Sequence, residues 1–187
     1  MVAPLAEKPQ GMPSKILELG PGTGSVTKYL LRQMGFGDSL ATCEINERFM
    51  DALKDNLEED PYFDTHRSRV SFHCCPMQQL PETHKYDLIV CAIPFLNFNL
   101  PLVKELFAKI AALSHENTVM TYYEYIGLRS IGKQFSLDSR RKRMRELDEF
   151  IKQVQDTHLQ SKSKVLLNIL PITVYRLNKL NKLNDVI

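Results

Sequence analysis

The chain has 187 residues, 43% of them hydrophobic, with 24 basic against 22 acidic side chains and a net charge of +2. That length reads as one domain with a full core, and so balanced a charge gives no global field toward nucleic acid or membrane. Four cysteines without a C-x-x-C spacing argue against a disulfide framework or a zinc site, and the longest apolar stretch, Leu88–Leu96, is interrupted by Pro94 and far shorter than the about 20 residues of a membrane span. The first residues, MVAPLAEKPQ, carry no apolar signal core, so the expected location is cytoplasmic.

Residues 1–14, broken by Pro4, Pro9, Gly11 and Pro13, read as a flexible lead-in. Lys15–Leu19 (KILEL) reads as a buried strand that runs into Gly-Pro-Gly. From Thr23 to Met34, the residues Val26, Tyr29, Leu30 and Met34 recur at helical spacing until Gly35 ends the run. Leu40–Glu44 is a second strand. Asn46 then caps a helix whose apolar face is Phe49, Met50, Leu53 and Leu57, stopped by Asp60-Pro61. Arg69–Cys74 and Tyr86–Cys91 are further strands, the latter apolar enough for the middle of a parallel sheet. Pro101 opens a helix with Val103, Leu106, Phe107 and Ile110 on one face, followed by a strand over Thr118–Tyr123. A long helix is expected over Asp138–Gln155, then strands Val165–Ile169 and Ile172–Leu177 with no helix between them. The last ten residues, 178–187, are a polar tail expected to fray. Strand–helix alternation implies an α/β fold over 15–177: a doubly wound, mostly parallel seven-stranded sheet. The closing pair predicts a C-terminal antiparallel hairpin, its antiparallel strand at the sheet edge.

The informative stretch is Glu18-Leu19-Gly20-Pro21-Gly22-Thr23-Gly24, which follows a strand and opens a helix. Glycines there let backbone approach a ligand, and amides near the helix start can hydrogen-bond to it. Glu44 ends the next strand, 20 residues past Gly24, where a carboxylate can accept both hydroxyls of a ribose. The spacing lacks the third glycine of G-x-G-x-x-G, and Glu18 would repel a pyrophosphate. Both features suit a ligand that carries ammonium and sulfonium better than a dinucleotide.

ELGPGTG followed by CEIN resembles the first motif and acidic loop of the class I S-adenosylmethionine-dependent methyltransferases, over Lys15 to about Leu177. The resemblance implies S-adenosyl-L-methionine as cofactor, wrapped at its methionine end by Gly20, Pro21, Gly22, Thr23 and Gly24. It places Glu18 near the amino group, Glu44 on the ribose and Ile45 against the adenine. Relatives often carry an acidic residue to the adenine amine after the third strand. This chain has Cys74-Cys75-Pro76-Met77 there, so Cys75, Pro76 and Met77 become the adenine-side residues, with backbone carbonyls or Gln78 replacing the carboxylate and Met77 over the ring. Cys74 and Cys75 are expected to be a buried strand end.

Residues after the fourth strand usually meet the methyl acceptor, here Ala92-Ile93-Pro94-Phe95-Leu96-Asn97-Phe98. Nucleobase amine methyltransferases carry Asn or Asp where this chain has Ala92. The stretch through Ala92 and Pro94 is similar to the signature of bacterial phospholipid N-methyltransferases. Tyr122-Tyr123-Glu124-Tyr125 and Leu167-Asn168-Ile169-Leu170-Pro171 agree with that group. The implied acceptor is an amine such as a phosphatidylethanolamine-type headgroup. A ribosomal RNA adenine methyltransferase relative and a non-catalytic cofactor-binding protein are the alternatives. Aromatic faces attract methylated ammonium. Tyr122, Glu124 and His73 are the candidates for a proton acceptor.

Arg140–Arg145 places five basic residues in six near the start of the long helix, where positive charge opposes the macrodipole. Anionic lipid headgroups at the inner membrane face, or a phosphate backbone, would balance it. Glu146, Asp148 and Glu149 offer the alternative of a solvated, internally balanced face.

Overall fold

The computed structural model describes residues 1–9, 11–126, 138–165, 171–185 and 187, with 138–142, 184 and 185 described by their backbone alone. A seven-stranded sheet runs in the order β3-β2-β1-β4-β5-β7-β6. The strands are β1 Lys15–Leu19, β2 Ser39–Glu44, β3 Val70–Cys74, β4 Tyr86–Cys91, β5 Ser114–Tyr125, β6 Leu159–Val165 and β7 Ile172–Leu177. Neighbours among β1 to β5 pair in parallel, while β7 is antiparallel to both β5 and β6. The expected hairpin is present, but its antiparallel strand is inserted between β5 and β6, and β6 holds the edge. β6 is also earlier than the sequence pattern placed it. Leu159–Val165 is exposed throughout, so it lacks the buried alternation that marks a strand. Residues 166–169 of the expected strand lie outside the described residues.

The helices are α1 Ala3–Ala6, α2 Thr27–Gln33, α3 Glu47–Glu58, α4 Pro61–His66, α5 Leu100–Ala112 and α6 Asp138–His158. Ile16, Leu40, Leu88 and Val90 pack with residues of α1 to α4 on one face of the sheet. Leu17, Ile89, Met120 and Leu177 pack with α5 and α6 on the other. Asn46 caps α3 as expected, accepting from the backbone N–H groups of Arg48 (3.0 Å) and Phe49 (3.4 Å). Asp60-Pro61 stops α3 and immediately starts α4, with Asp60 accepting from Tyr62 N. Two side chains expected on buried faces are open: Tyr29 is 57% exposed and Phe49 48%. Tyr29 instead lies beside the Arg32 guanidinium.

Both ends of the chain are docked. Leu5 of α1 is buried, Met1 accepts from the Thr121 hydroxyl at 2.9 Å, and Lys8 pairs with Asp38. In the tail, a 3-10 turn over Leu180–Asp185 buries Leu180 and Leu183 completely, and Lys104 donates to the Ile187 carbonyl at 2.8 Å. Two leucines three apart suffice to seat that turn against α5, although its other residues are polar. Among the described residues, no helix is long and apolar enough to cross a membrane.

Candidate cofactor site

The glycine turn leaves β1 at the carboxyl ends of the parallel strands, where open α/β sheets bind ligands. Gly20, Gly22 and Gly24 all have positive φ (70°, 57° and 95°), a region that favours glycine. Gly20 N–H donates to the Cys43 carbonyl at 2.9 Å and Ala92 N–H to the Leu19 carbonyl at 2.8 Å, which fixes the turn between β2 and β4. A Cβ on Gly20 would sit 3.2 Å from Ile93 Cγ1, and one on Gly24 only 2.7 Å from Leu53 Cδ1. At Gly22 a Cβ would meet nothing within 4 Å, so that backbone is open to a ligand. Pro21 is buried, and its carbonyl accepts from Gly24 N at 3.0 Å. Thr23 is exposed, its carbonyl held by Asn56 Nδ2 at 3.0 Å.

Two carboxylates face this turn from below and beside it. Glu18 is fully buried; Thr27 donates to its Oε2 at 2.7 Å, while Oε1 has no partner among the described residues. Burial pushes the Glu18 carboxyl up to about 7, against the lowering effect of the Thr27 hydrogen bond. Glu44 is buried and bridges both sides, accepting from Gly22 N–H at 3.2 Å and Asn46 N–H at 2.9 Å. Beyond it, Ile45 is 70% exposed, free to cover a flat ring.

Other expected site residues are placed differently. Met77 is buried in the core on the α5 side and cannot lie over an open ring. Cys75 and Pro76 are half-buried and remain at the rim, while Cys74 is exposed rather than a buried strand end. Ala92 is half-buried and Pro94 exposed at the end of β4. Tyr122 is fully buried: its ring stacks on Tyr175 (5.0 Å between centroids) and its hydroxyl accepts from Gln155 at 2.6 Å. That places it in the core rather than against an acceptor. Glu124, two residues on, is half-buried. His73 lies on β3, four strand spacings or roughly 19 Å from β5, so it cannot serve the same site. Thr27 was not singled out in the sequence. Its signal is a hydroxyl among the buried positions of α2, beside Leu30 and Leu31. Leu167–Leu170 lie outside the described residues.

The residues present fit S-adenosylmethionine. Glu18 Oε1 is a buried acceptor without a hydrogen-bond donor, which an ammonium group would satisfy. Gly22 leaves open backbone beside it, and Glu44 keeps carboxylate lone pairs for ribose hydroxyls at the end of β2.

Comparisons with known proteins agree on the fold. An O-methyltransferase from Bacillus cereus, in complex with SAH, superposes with a TM-score of 0.65 at 20% identity, covering 89% of this chain and 74% of that one. Magnesium protoporphyrin IX methyltransferase from Synechocystis PCC 6803, with bound SAM, gives 0.64 at 13% identity, covering 95% and 76%. The N-methyltransferase NodS from Bradyrhizobium japonicum, in complex with SAH, gives 0.62 at 14%, covering 89% and 78%. A search of curated proteins finds no match. Residues 16–117, more than half of the chain, match the sequence model described as a methyltransferase domain. The protein therefore belongs to the methyltransferase domain family, and it shares its fold with methyltransferases solved with SAM or SAH bound.

Proposed function

We propose that this methyltransferase acts on a basic amine, with an ethanolamine-type lipid headgroup as the acceptor class it fits best. The observation that carries this reading is the pair Tyr123 and Tyr125 at the end of β5. Their rings are perpendicular, with centroids 5.4 Å apart, and both are half-buried. β5 pairs with β4 through Cys91 opposite Tyr122, so the pair stands beside the strand end that leads into Ala92. Burial first, then the neighbouring Tyr125, pushes the Tyr123 phenol up to about 12, so it stays neutral. Neutral aromatic faces stabilise a methylated ammonium by up to about 2 kcal/mol when water is excluded. Ala92 offers no side-chain hydrogen bond to a nucleobase amine, which weighs against adenine in RNA.

The cofactor, when bound, supplies an electrophilic methyl on a sulfonium. The chain's own residues supply position and charge. Glu18 holds the amino group, the glycine turn fixes the methionine end, and Glu44 sets the ribose. The acceptor nitrogen must lose its proton before attack, and Glu124, at the end of β5, is the proposed acceptor of that proton. Catalysis is then mostly alignment of nitrogen, methyl and sulfur. Arg143 and Arg145 are exposed on α6 and supply a cationic approach to an anionic surface.

The test is labelled donor presented with mixed micelles containing an ethanolamine headgroup and, separately, with unmodified ribosomal RNA. Label in lipid, at a rate rising from about pH 7 to 9 as the amine deprotonates, supports the reading. Label in RNA alone overturns it in favour of an adenine methyltransferase. Label in neither overturns it in favour of a small soluble amine or a binding role.

A further inference from the structure

The end of β2, the end of β3 and the bend after it gather three of the four cysteines. Glu44 is opposite Cys74 and Cys43 opposite His73. Paired positions share a face and successive ones alternate, so Cys74 stands on the Glu44 side and Cys43 on the other. Cys43 is buried in the core on the α5 side, and Cys75 packs against that same core while remaining half-buried. The Cys43 thiol donates to the Cys75 carbonyl at 3.3 Å. Burial, then the adjacent Cys75, pushes the Cys43 thiol up to about 12, so it rests as a thiol at neutral pH.

We propose that Cys75 and Cys43 are a peroxide-responsive modification site that closes into a disulfide beneath the cofactor. Hydrogen peroxide oxidises the thiol of the half-buried Cys75 to a sulfenic acid, the O–O bond breaking and one water leaving. The Cys43 sulfur then attacks the Cys75 sulfur, the S–O bond breaks, and the hydroxyl departs with the Cys43 proton as a second water. Two thiols lose two hydrogens while one peroxide becomes two waters. The raised Cys43 thiol makes closure slow at neutral pH and faster in alkali. Cys74 is more exposed, but it lies on the opposite face from Cys43 and cannot complete the bridge.

The bridge acts on the site through two hydrogen bonds, one from backbone and one from a side chain. Cys43 holds the glycine turn through its carbonyl, and the next residue, Glu44, holds Gly22. Drawing Cys75 toward β2 moves the adenine-side rim against that anchored strand. This inference rests on the cofactor assignment above, and a bound cofactor would cover Cys75.

The experiment treats the reduced full-length chain with hydrogen peroxide, with and without saturating S-adenosylhomocysteine, then maps cysteines by alkylation and mass. The expected result is a Cys43–Cys75 bridge, slowed by S-adenosylhomocysteine. Affinity for S-adenosylhomocysteine falls on the order of tenfold and returns with dithiothreitol. Each variant is compared with itself before and after peroxide: Cys75→Ala loses the response and Cys74→Ala keeps it. Oxidation confined to Cys74, or unchanged affinity after complete bridging, overturns the proposal while leaving the cofactor assignment intact. Failure of the reduced protein to bind S-adenosylhomocysteine overturns both.

Discussion

Thr27 donates its hydroxyl hydrogen to Glu18 Oε2 at 2.7 Å, while the other oxygen of the same carboxylate is buried without a partner among the described residues. A half-satisfied carboxylate in a dry site costs stability unless a cation completes it. The pair therefore ties the first residue of α2 to the charge logic of the cofactor site.

Glu18 makes stability depend on pH in a direction unusual for a carboxylate. Its native value, about 7, lies above the 4.5 expected of the unfolded chain, so the native state holds an extra proton between them. Stability is then full below about 4.5 and is lost as pH rises to about 7. The loss is on the order of 3 kcal/mol and persists above that pH. Thermal melts of the cofactor-free protein at about pH 5 and 8 should show this fall, and Glu18→Gln should flatten it. Parallel profiles for the two proteins would count against the assignment.

The two glycines of the turn should respond differently to the same change. Gly24→Ala adds a Cβ 2.7 Å from Leu53 Cδ1 at a φ of 95°, and should lower stability by about 1–3 kcal/mol. Gly22→Ala adds a Cβ to open space at a φ of 57°, with a strain of about 1 kcal/mol. It should mainly weaken cofactor binding, because the methyl projects where a ligand approaches. Denaturation midpoints set against titration calorimetry separate the two effects.

Glu44→Ala removes the acceptor for Gly22 N–H and Asn46 N–H as well as the proposed ribose contact. Cofactor affinity should drop by about 1–3 kcal/mol. Unchanged affinity would remove the ribose role and leave Glu44 a purely structural brace.

The exposed Arg143 and Arg145 continue a run whose earlier side chains, at 140–142, lie outside the described residues. If the run contacts lipid, anionic vesicles retain the protein at low salt and release it as salt rises, since exposed charges are screened within about 10 Å at 0.1 M. Neutralising Arg140, Arg141 and Arg143 should abolish retention without altering cofactor affinity. Retention that ignores salt would point to apolar insertion instead.

Much of the fold was legible because local signals and packing agree. Gly20 to Gly24 and Glu44 announce themselves by spacing, and Asn46 and Pro101 mark helix starts by their chemistry. What escaped was set by tertiary contact. β6 has no buried face to pattern it, and the Leu180–Asp185 turn is seated by two leucines in a polar stretch. Tyr122 and Glu124 look alike as candidates in sequence, yet the aromatic cluster and Gln155 bury only the first. Met77 reads as a ring cover but is claimed by the core, because burying an apolar side chain against α5 is worth more than leaving it at the rim.

The most direct test of the central claim is titration of the reduced wild-type protein with S-adenosylhomocysteine by calorimetry, repeated with Glu18→Gln. Saturable binding at one site, weakened in the variant, is the predicted result. A folded wild-type protein that shows no binding heat at any temperature across the range would contradict the account.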